Sequence, residues 1–161
     1  MINDTIIRIS RPDDVNKLRD LDMKCYPYPQ DMDFWRAVSQ DENTTIIILE
    51  VVHQAAGFAV WSYGGKEATI HKLGVHPKYR RKGLGRLLVA ACYRHVKDRG
   101  CDTISLVIPH IHCCPGDEDD VSVFLNKTGF TATGKVLTDF RIMYGSKVDG
   151  YIFARKINDP S

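Results

Sequence analysis

Apolar positions along the chain alternate between a period near two and a period near 3.6, and each change of period marks an element. Thr5–Ile9 (TIIRI) is a short β-rich run. Ser10-Arg11-Pro12-Asp13-Asp14 reads as a helix start, with a capping Ser, an early Pro and early acids. Val15, Leu18, Leu21 and Asp22 continue that helix. Cys25-Tyr26-Pro27-Tyr28-Pro29 ends it, because proline breaks a helix interior. The pattern predicts a second helix over Asp31–Ser39. Two apolar runs, Thr44–Val52 and Ala55–Ser62, read as strands, and Tyr63-Gly64-Gly65-Lys66 is a hairpin turn into a third strand, Glu67–Val75. Leu84, Leu87, Leu88, Ala91, Cys92 and Val96 then follow helical spacing, with Gly100 as the stop. Thr103–Ile108 is a buried strand and His110–Asp119 a loop. Val121–Lys127 is a short helix ended by Gly129. Thr131–Phe140 and Gly150–Lys156 form a last pair of strands.

The order β-α-α-β-β-β-α-β-α-β-β implies an α/β fold, a mixed sheet with helices on both faces. At 161 residues the chain is read as a single domain, residues 1–161. Its composition, 43% hydrophobic and 26% charged with mean hydropathy −0.25, is that of a globular protein rather than a disordered or fibrous one. The longest apolar stretch, Leu87–Tyr93, is far short of the roughly 20 residues a membrane helix needs. MINDTIIRIS lacks the basic and apolar regions of a secretory signal. Five cysteines, an odd number, argue against a disulfide framework. Reduced thiols and a cytoplasmic location are the expectation.

Charge changes the picture by position. Lys+Arg 22 minus Asp+Glu 20 leaves +2, too little for a general nucleic-acid binder. The basic excess concentrates between Lys72 and Arg99, where Asp98 is the one acid. Such a cluster suits a small polyanion. At its centre a strand ending in Leu73-Gly74-Val75 turns through His76-Pro77-Lys78-Tyr79 into Arg80-Arg81-Lys82-Gly83-Leu84-Gly85-Arg86, and a long helix begins. Helix N-termini offer unpaired N–H groups and a positive dipole end, so they take phosphate. Gly83 and Gly85 allow close backbone approach. Arg80, Arg81, Lys82 and Arg86 add charge-assisted contacts. An ATPase loop is excluded by the missing Gly-Lys-Ser/Thr, and a dinucleotide fingerprint by the missing G-x-G-x-x-G.

This stretch resembles the GNAT superfamily of acetyl-CoA-dependent N-acetyltransferases. Their [Gln/Arg]-x-x-Gly-x-[Gly/Ala] signature, after a strand ending Val-x-Pro, is here Arg80-x-x-Gly83-x-Gly85 after Val75-His76-Pro77. The element order is the family's, and Thr128-Gly129-Phe130 matches its late Gly-Phe. Glu67-Ala68-Thr69, Tyr26-Pro27-Tyr28 and the loop look most like ribosomal-protein N-terminal acetyltransferases. The resemblance implies a mixed, mostly antiparallel sheet of about seven strands flanked by about four helices. It implies that acetyl-CoA lies along Leu73, Gly74 and Val75 and on residues Arg80 to Arg86, with its pyrophosphate in the loop and its pantetheine arm paired to the strand. The partners it implies are acetyl-CoA and an amine acceptor, with neither nucleic acid nor membrane. Dimers are common in the family, so a homodimer is compatible with it.

Acetyl transfer needs a neutral amine. A protein α-amine, with pKa of roughly 8, is partly neutral at pH 7, whereas a lysine at about 10.4 is not. Candidate bases lie on the third strand, where Glu67, Thr69 and His71 share a face by alternation. His71 stands four residues before Val75, where related acetyltransferases often carry Glu or His; its other reading is a packing histidine. Glu67, near the hairpin, reads as solvated. The sequence also departs from the family. Leu125 holds the position of the usual general-acid Tyr. Glu118 stands where an Asn commonly contacts pantetheine, and Val107 where N-terminal acetyltransferases carry a base on the fifth strand. Tyr144 and Tyr151 are candidates for a substitute acid, but the preferred reading is that they pack or line the substrate cleft.

His110, His112, Cys113 and Cys114 supply four zinc-type ligands. The adjacent cysteines point apart, so an acidic substrate lip is the preferred reading, and no metal is expected. The reading is therefore an acetyl-CoA-dependent N-acetyltransferase acting on a primary amine by direct attack. The competing classes are a coenzyme A-binding regulatory domain without turnover and a metal-responsive module.

Overall fold

The computed structural model describes residues 4–26, 29–109, 121–141 and 147–157. Seven strands form one mixed sheet in the order β1-β2-β3-β4-β5-β7-β6. They are β1 (Thr5–Ile9), β2 (Thr44–Val51), β3 (Gln54–Gly64), β4 (Glu67–Val75), β5 (Thr103–Pro109), β6 (Thr131–Arg141) and β7 (Lys147–Lys156). The helices are α1 (Val15–Cys25), α2 (Met32–Gln40), α3 (Leu84–Asp98) and α4 (Val121–Lys127). All neighbouring strands run antiparallel except β4 and β5. That pair is parallel because α3 carries the chain back between them. The mixed, mostly antiparallel architecture read from the sequence is the one observed.

Strands β2 and β3 are buried on both faces, which is why they read as continuous apolar runs. Ile46, Ile48, Phe58 and Val60 pack with Leu18, Leu21 and Trp35 of α1 and α2. The alternate residues Ile47, Leu49, Ala59 and Trp61 pack with Leu84, Leu88, Cys92 and Val96 of α3. Val52 and His53, both at positive φ, turn β2 into β3, the geometry two-residue hairpins favour.

The entry to α1 differs from the expected serine cap. A short 3-10 turn, Pro12–Asp14, precedes the helix. Asp14 reaches back and accepts the Arg11 N–H at 2.6 Å. Ser10 extends the strand pairing instead, its N–H donating to Ile46. Asp14 also receives two hydrogen bonds from Arg8, at 2.7 and 3.0 Å, while Arg8 Nε donates to Glu50 at 2.9 Å. Arg8 thus links β1, β2 and the start of α1.

Lys72 departs most from the sequence reading, which counted it in the cationic cluster that runs to Arg99. It is 3% exposed. Its Nζ lies 2.5 Å from Asp22, which is fully buried in α1. Asp22 further accepts the Gln30 N–H at 2.8 Å and the Trp35 indole N–H at 3.2 Å. The ammonium sits 4.8, 5.9 and 5.8 Å from the ring centres of Tyr26, Phe34 and Trp35, within cation–π range. One carboxylate therefore fastens α1, the chain leading to α2, α2 itself and β4.

Two predictions follow from these ion pairs. Asp22→Ala strands a buried ammonium and is expected to cost about 3–5 kcal/mol, read as a lowered urea midpoint, while Asp22→Leu with Lys72→Met recovers most of the loss. Full stability in the single variant contradicts the hub role. Hydrogen bonds from Arg8 and from the Arg11 N–H lower the Asp14 pKa from 3.8 to about 2, against the opposing effect of burial. Its contribution is present above pH 3.8 and is lost as the pH falls toward 2. The Asp14→Asn variant should show a flatter acid limb in a plot of melting temperature against pH.

Candidate active site

The site begins where β4 parts from β5. Among the described residues the β4–β5 ladder runs from Glu67↔Thr103 to Ile70↔Leu106 and stops. β5 turns to β7 alone from Val107 to Pro109, and β4 continues to Val75 with one edge open. A bulge lies at this point. Trp61 pairs with Ile70 and Val60 with Lys72, so His71 is the extra residue. The bulge breaks the alternation: Ile70 packs in the α3 core, and Lys72 faces α1 and α2.

The sequence-predicted bases share one face up to this point, since Ser62 lies opposite Thr69 and also contacts His71, and they are separated only by distance along the strand. His71 is at the bulge, exposed, with Nε2 2.6 Å from Ser62 Oγ. Partial desolvation by the surrounding chain keeps its pKa below the usual imidazole value. Glu67 is exposed at the hairpin, where the ladder is still closed, four residues or about 13 Å down the strand.

Beyond Val75 the basic turn takes shape. His76 Nδ1 accepts the Lys78 N–H at 3.0 Å and starts a 3-10 turn over Pro77–Tyr79. Arg80 bends back, its Nε donating to the Val75 carbonyl at 2.8 Å, so it ties the turn to the end of β4. Arg81, at φ 63°, and Gly83, at φ 80°, are both left-handed. Such alternation gathers successive N–H groups into an anion-binding concavity. Gly83 caps α3, and the first helical bond runs from the Leu87 N–H to Gly83. The N–H groups of Leu84, Gly85 and Arg86 therefore precede the helix's own hydrogen bonds. Arg81, Lys82 and Arg86 are exposed around them. The turn thus has its charges outside and its backbone donors at the centre, an arrangement suited to an anion.

The glycines divide the work differently from the sequence reading. A Cβ on Gly83 would touch nothing within 4 Å, so its role is the left-handed cap. A Cβ on Gly85 would lie 3.0 Å from the Phe124 ring, so Gly85 lets α4 pack against α3. At Gly74 a Cβ would meet Cys25 and Phe58, each at 3.0 Å. Gly74 and the buried Leu84 thus offer a ligand only their backbone. Burial pushes the Cys25 thiol up to about 11, with Arg80 opposing, so it is an inert thiol here.

Leu125, in place of the family's Tyr, is 4% exposed in the α3 core and gives only packing. Tyr144 and the cluster of His110, His112, Cys113 and Cys114 lie outside the described residues. Among the described residues no group of three or more His, Cys, Asp or Glu could hold a metal. Two features escaped the sequence reading. One is the Lys72–Asp22 pair, whose signal was an Asp within the apolar stripe of α1. The other is the Tyr26 hydroxyl, which bonds the Leu73 carbonyl at 2.7 Å and the Leu73 N–H at 3.1 Å.

The mixed sheet whose β4 and β5 part beside a basic helix N-terminus is that of an acetyltransferase. The chain belongs to the acetyltransferase (GNAT) family, whose model matches residues 15–130. It is 26% identical over 123 residues to an acetyltransferase of Photorhabdus laumondii, covering 74% of this chain and 80% of the relative. It is 28% identical over 135 residues to one of Sodalis glossinidius, covering 81% and 90%. Among solved structures it superposes on the ribosomal-protein-S18-alanine N-acetyltransferase of Escherichia coli with TM-score 0.79 at 20% identity, over 98% of this chain and 96% of that one. Arabidopsis thaliana NAA60 in complex with acetyl-CoA gives TM-score 0.76 at 16% identity, over 96% and 99%. The protein is an acetyl-CoA-dependent N-acetyltransferase, and acetyl-CoA is its cosubstrate. No helix among the described residues is long and apolar enough to cross a membrane.

The two loop glycines give separable outcomes. Gly83→Ala should cost about 1–2 kcal/mol from its left-handed φ alone, with α4 undisturbed. Gly85→Val should instead displace the Phe124 ring, seen as changed aromatic resonances of Phe124. An unmoved ring would contradict the packing role of Gly85.

Proposed function

We propose that the whole chain acts as one catalytic domain that moves an acetyl group from acetyl-CoA to a primary amine, by direct attack of the amine on the thioester. The observation that carries this reading is the continuity of the open β4 edge with the phosphate cradle. Leu73, Gly74 and Val75 pair their backbone with the pantetheine arm. The N–H groups from Gly83 to Arg86 take the pyrophosphate, aided by Arg81, Lys82 and Arg86, while Arg80 holds the turn. The amine enters beside the segment that follows α1. Likeness to the S18-alanine enzyme favours a protein or peptide α-amine as acceptor, and such an amine is partly neutral at pH 7. Free thiols at Cys25, Cys92 and Cys101 support a cytoplasmic site of action.

His71 is the base. It stands at the bulge where the two strands part, and with Nε2 engaged by Ser62, Nδ1 takes the proton. Its lowered pKa keeps the ring neutral, and so basic, at pH 7. Backbone N–H groups of the open edge steady the oxyanion. The departing thiolate has a pKa near 8.5 by analogy with cysteine, so water or Tyr144 suffices to protonate it.

Thiol release from acetyl-CoA across a panel of peptides and small amines tests the activity. Binding without release for every amine would favour a regulatory coenzyme A-binding domain. His71→Ala should lower kcat/KM by roughly 10²–10⁴-fold with acetyl-CoA affinity unchanged. The wild-type rate should fall on the acid side below the ordinary imidazole range, as His71 gains its proton. An unaltered acid limb in the variant would move the base to Glu67 or a water chain.

A further inference from the structure

An open strand edge leaves N–H and C=O groups without partners, and proteins cover such edges. On β4, beyond the end of the β5 ladder, one atom covers both groups of Leu73. The Tyr26 hydroxyl donates to the Leu73 carbonyl at 2.7 Å and accepts the Leu73 N–H at 3.1 Å. A hydroxyl can do both at once. It therefore stands where an amide of an added strand would stand, the geometry by which extended ligands join a sheet edge. The ring is held by contacts of a different kind. It packs edge-on against Phe58 at 6.5 Å, and the Lys72 ammonium lies 4.8 Å from its centre. Its backbone N–H ends α1 on the Asp22 carbonyl. The ring's position thus depends on α1 and the buried ion pair, while the hydroxyl bonds the Leu73 backbone.

We propose that Tyr26 is an internal stand-in for the cosubstrate: its hydroxyl occupies the Leu73 backbone pair in the free protein and is displaced by the two amide groups of the pantetheine arm when acetyl-CoA binds. This inference rests on the reading of β4 as the pantetheine strand. The exchange is close to balanced, since two hydrogen bonds leave Leu73 and two replace them. Tyr26 therefore keeps the edge satisfied without closing it, and weakens acetyl-CoA binding by whatever its own two bonds contribute.

Tyr26→Phe removes the hydroxyl and keeps both ring contacts. In calorimetric titrations the variant should bind acetyl-CoA about three- to tenfold more tightly than the wild type. Adenosine 3′,5′-bisphosphate, which has no pantetheine arm, should bind the two proteins equally. Equal or weaker acetyl-CoA binding by the variant overturns the stand-in and leaves the cosubstrate site intact. Failure of both proteins to bind acetyl-CoA overturns the cosubstrate site and the stand-in with it. A second measurement does not depend on the variant. With 3-fluorotyrosine placed at position 26 alone, the fluorine resonance should shift on saturation with acetyl-CoA and stay unmoved with the bisphosphate. A resonance that acetyl-CoA leaves in place contradicts displacement.

Discussion

Taking an ammonium and a carboxylate out of water costs several kcal/mol per ion, and only close geometry with further hydrogen bonds offsets it. The Lys72–Asp22 pair meets that requirement under three aromatic rings, with two extra donors on the carboxylate. Its position matters more than its net energy. Lys72 follows the bulge directly, and Asp22 sits in the last turns of α1 and receives both the backbone before α2 and the indole of α2. The two helices on that face are therefore held in register with the one stretch of β4 that has parted from β5.

The opposite face uses apolar packing for the same purpose. Leu84, Leu88, Cys92 and Val96 seat α3 on Ala59, Trp61 and Ile70. Phe124 comes against the glycine at its first turn. The helix N-terminus is thereby fixed at the end of β4, and Arg80 closes the remaining joint through the Val75 carbonyl. A ligand meeting the cradle and the open edge together meets two preorganised surfaces, which lowers the ordering cost of binding.

Much of this was legible in the residues. Helices and strands fell where periodicity put them, because each apolar face is long enough to specify its partner. The basic turn at the start of α3 was legible because strand end, glycine, cations and helix start must be adjacent in sequence to be adjacent in space. Contacts between distant segments were not. Lys72 read as part of the cationic cluster because burial depends on Asp22, fifty residues away. Glu67 and His71 read as sharing a face by alternation, but the end of the β4–β5 ladder between them, which has no signature in a single sequence, leaves only His71 at the fork. Gly85 read as making room for a ligand, and its close neighbour proved to be Phe124.

The sequence by itself determined the order and kind of the elements, the α/β class and the basic glycine turn that opens α3, since all of these follow from local periodicity, capping and backbone freedom. Tertiary structure alone decided where β4 parts from β5, which candidate base stands at that fork, and that the Tyr26 hydroxyl covers Leu73. Those outcomes depend on strand register and on the closing of buried polar groups against partners far along the chain. A hydroxyl or an ammonium acquires its role only when the fold chooses which donor or acceptor it meets.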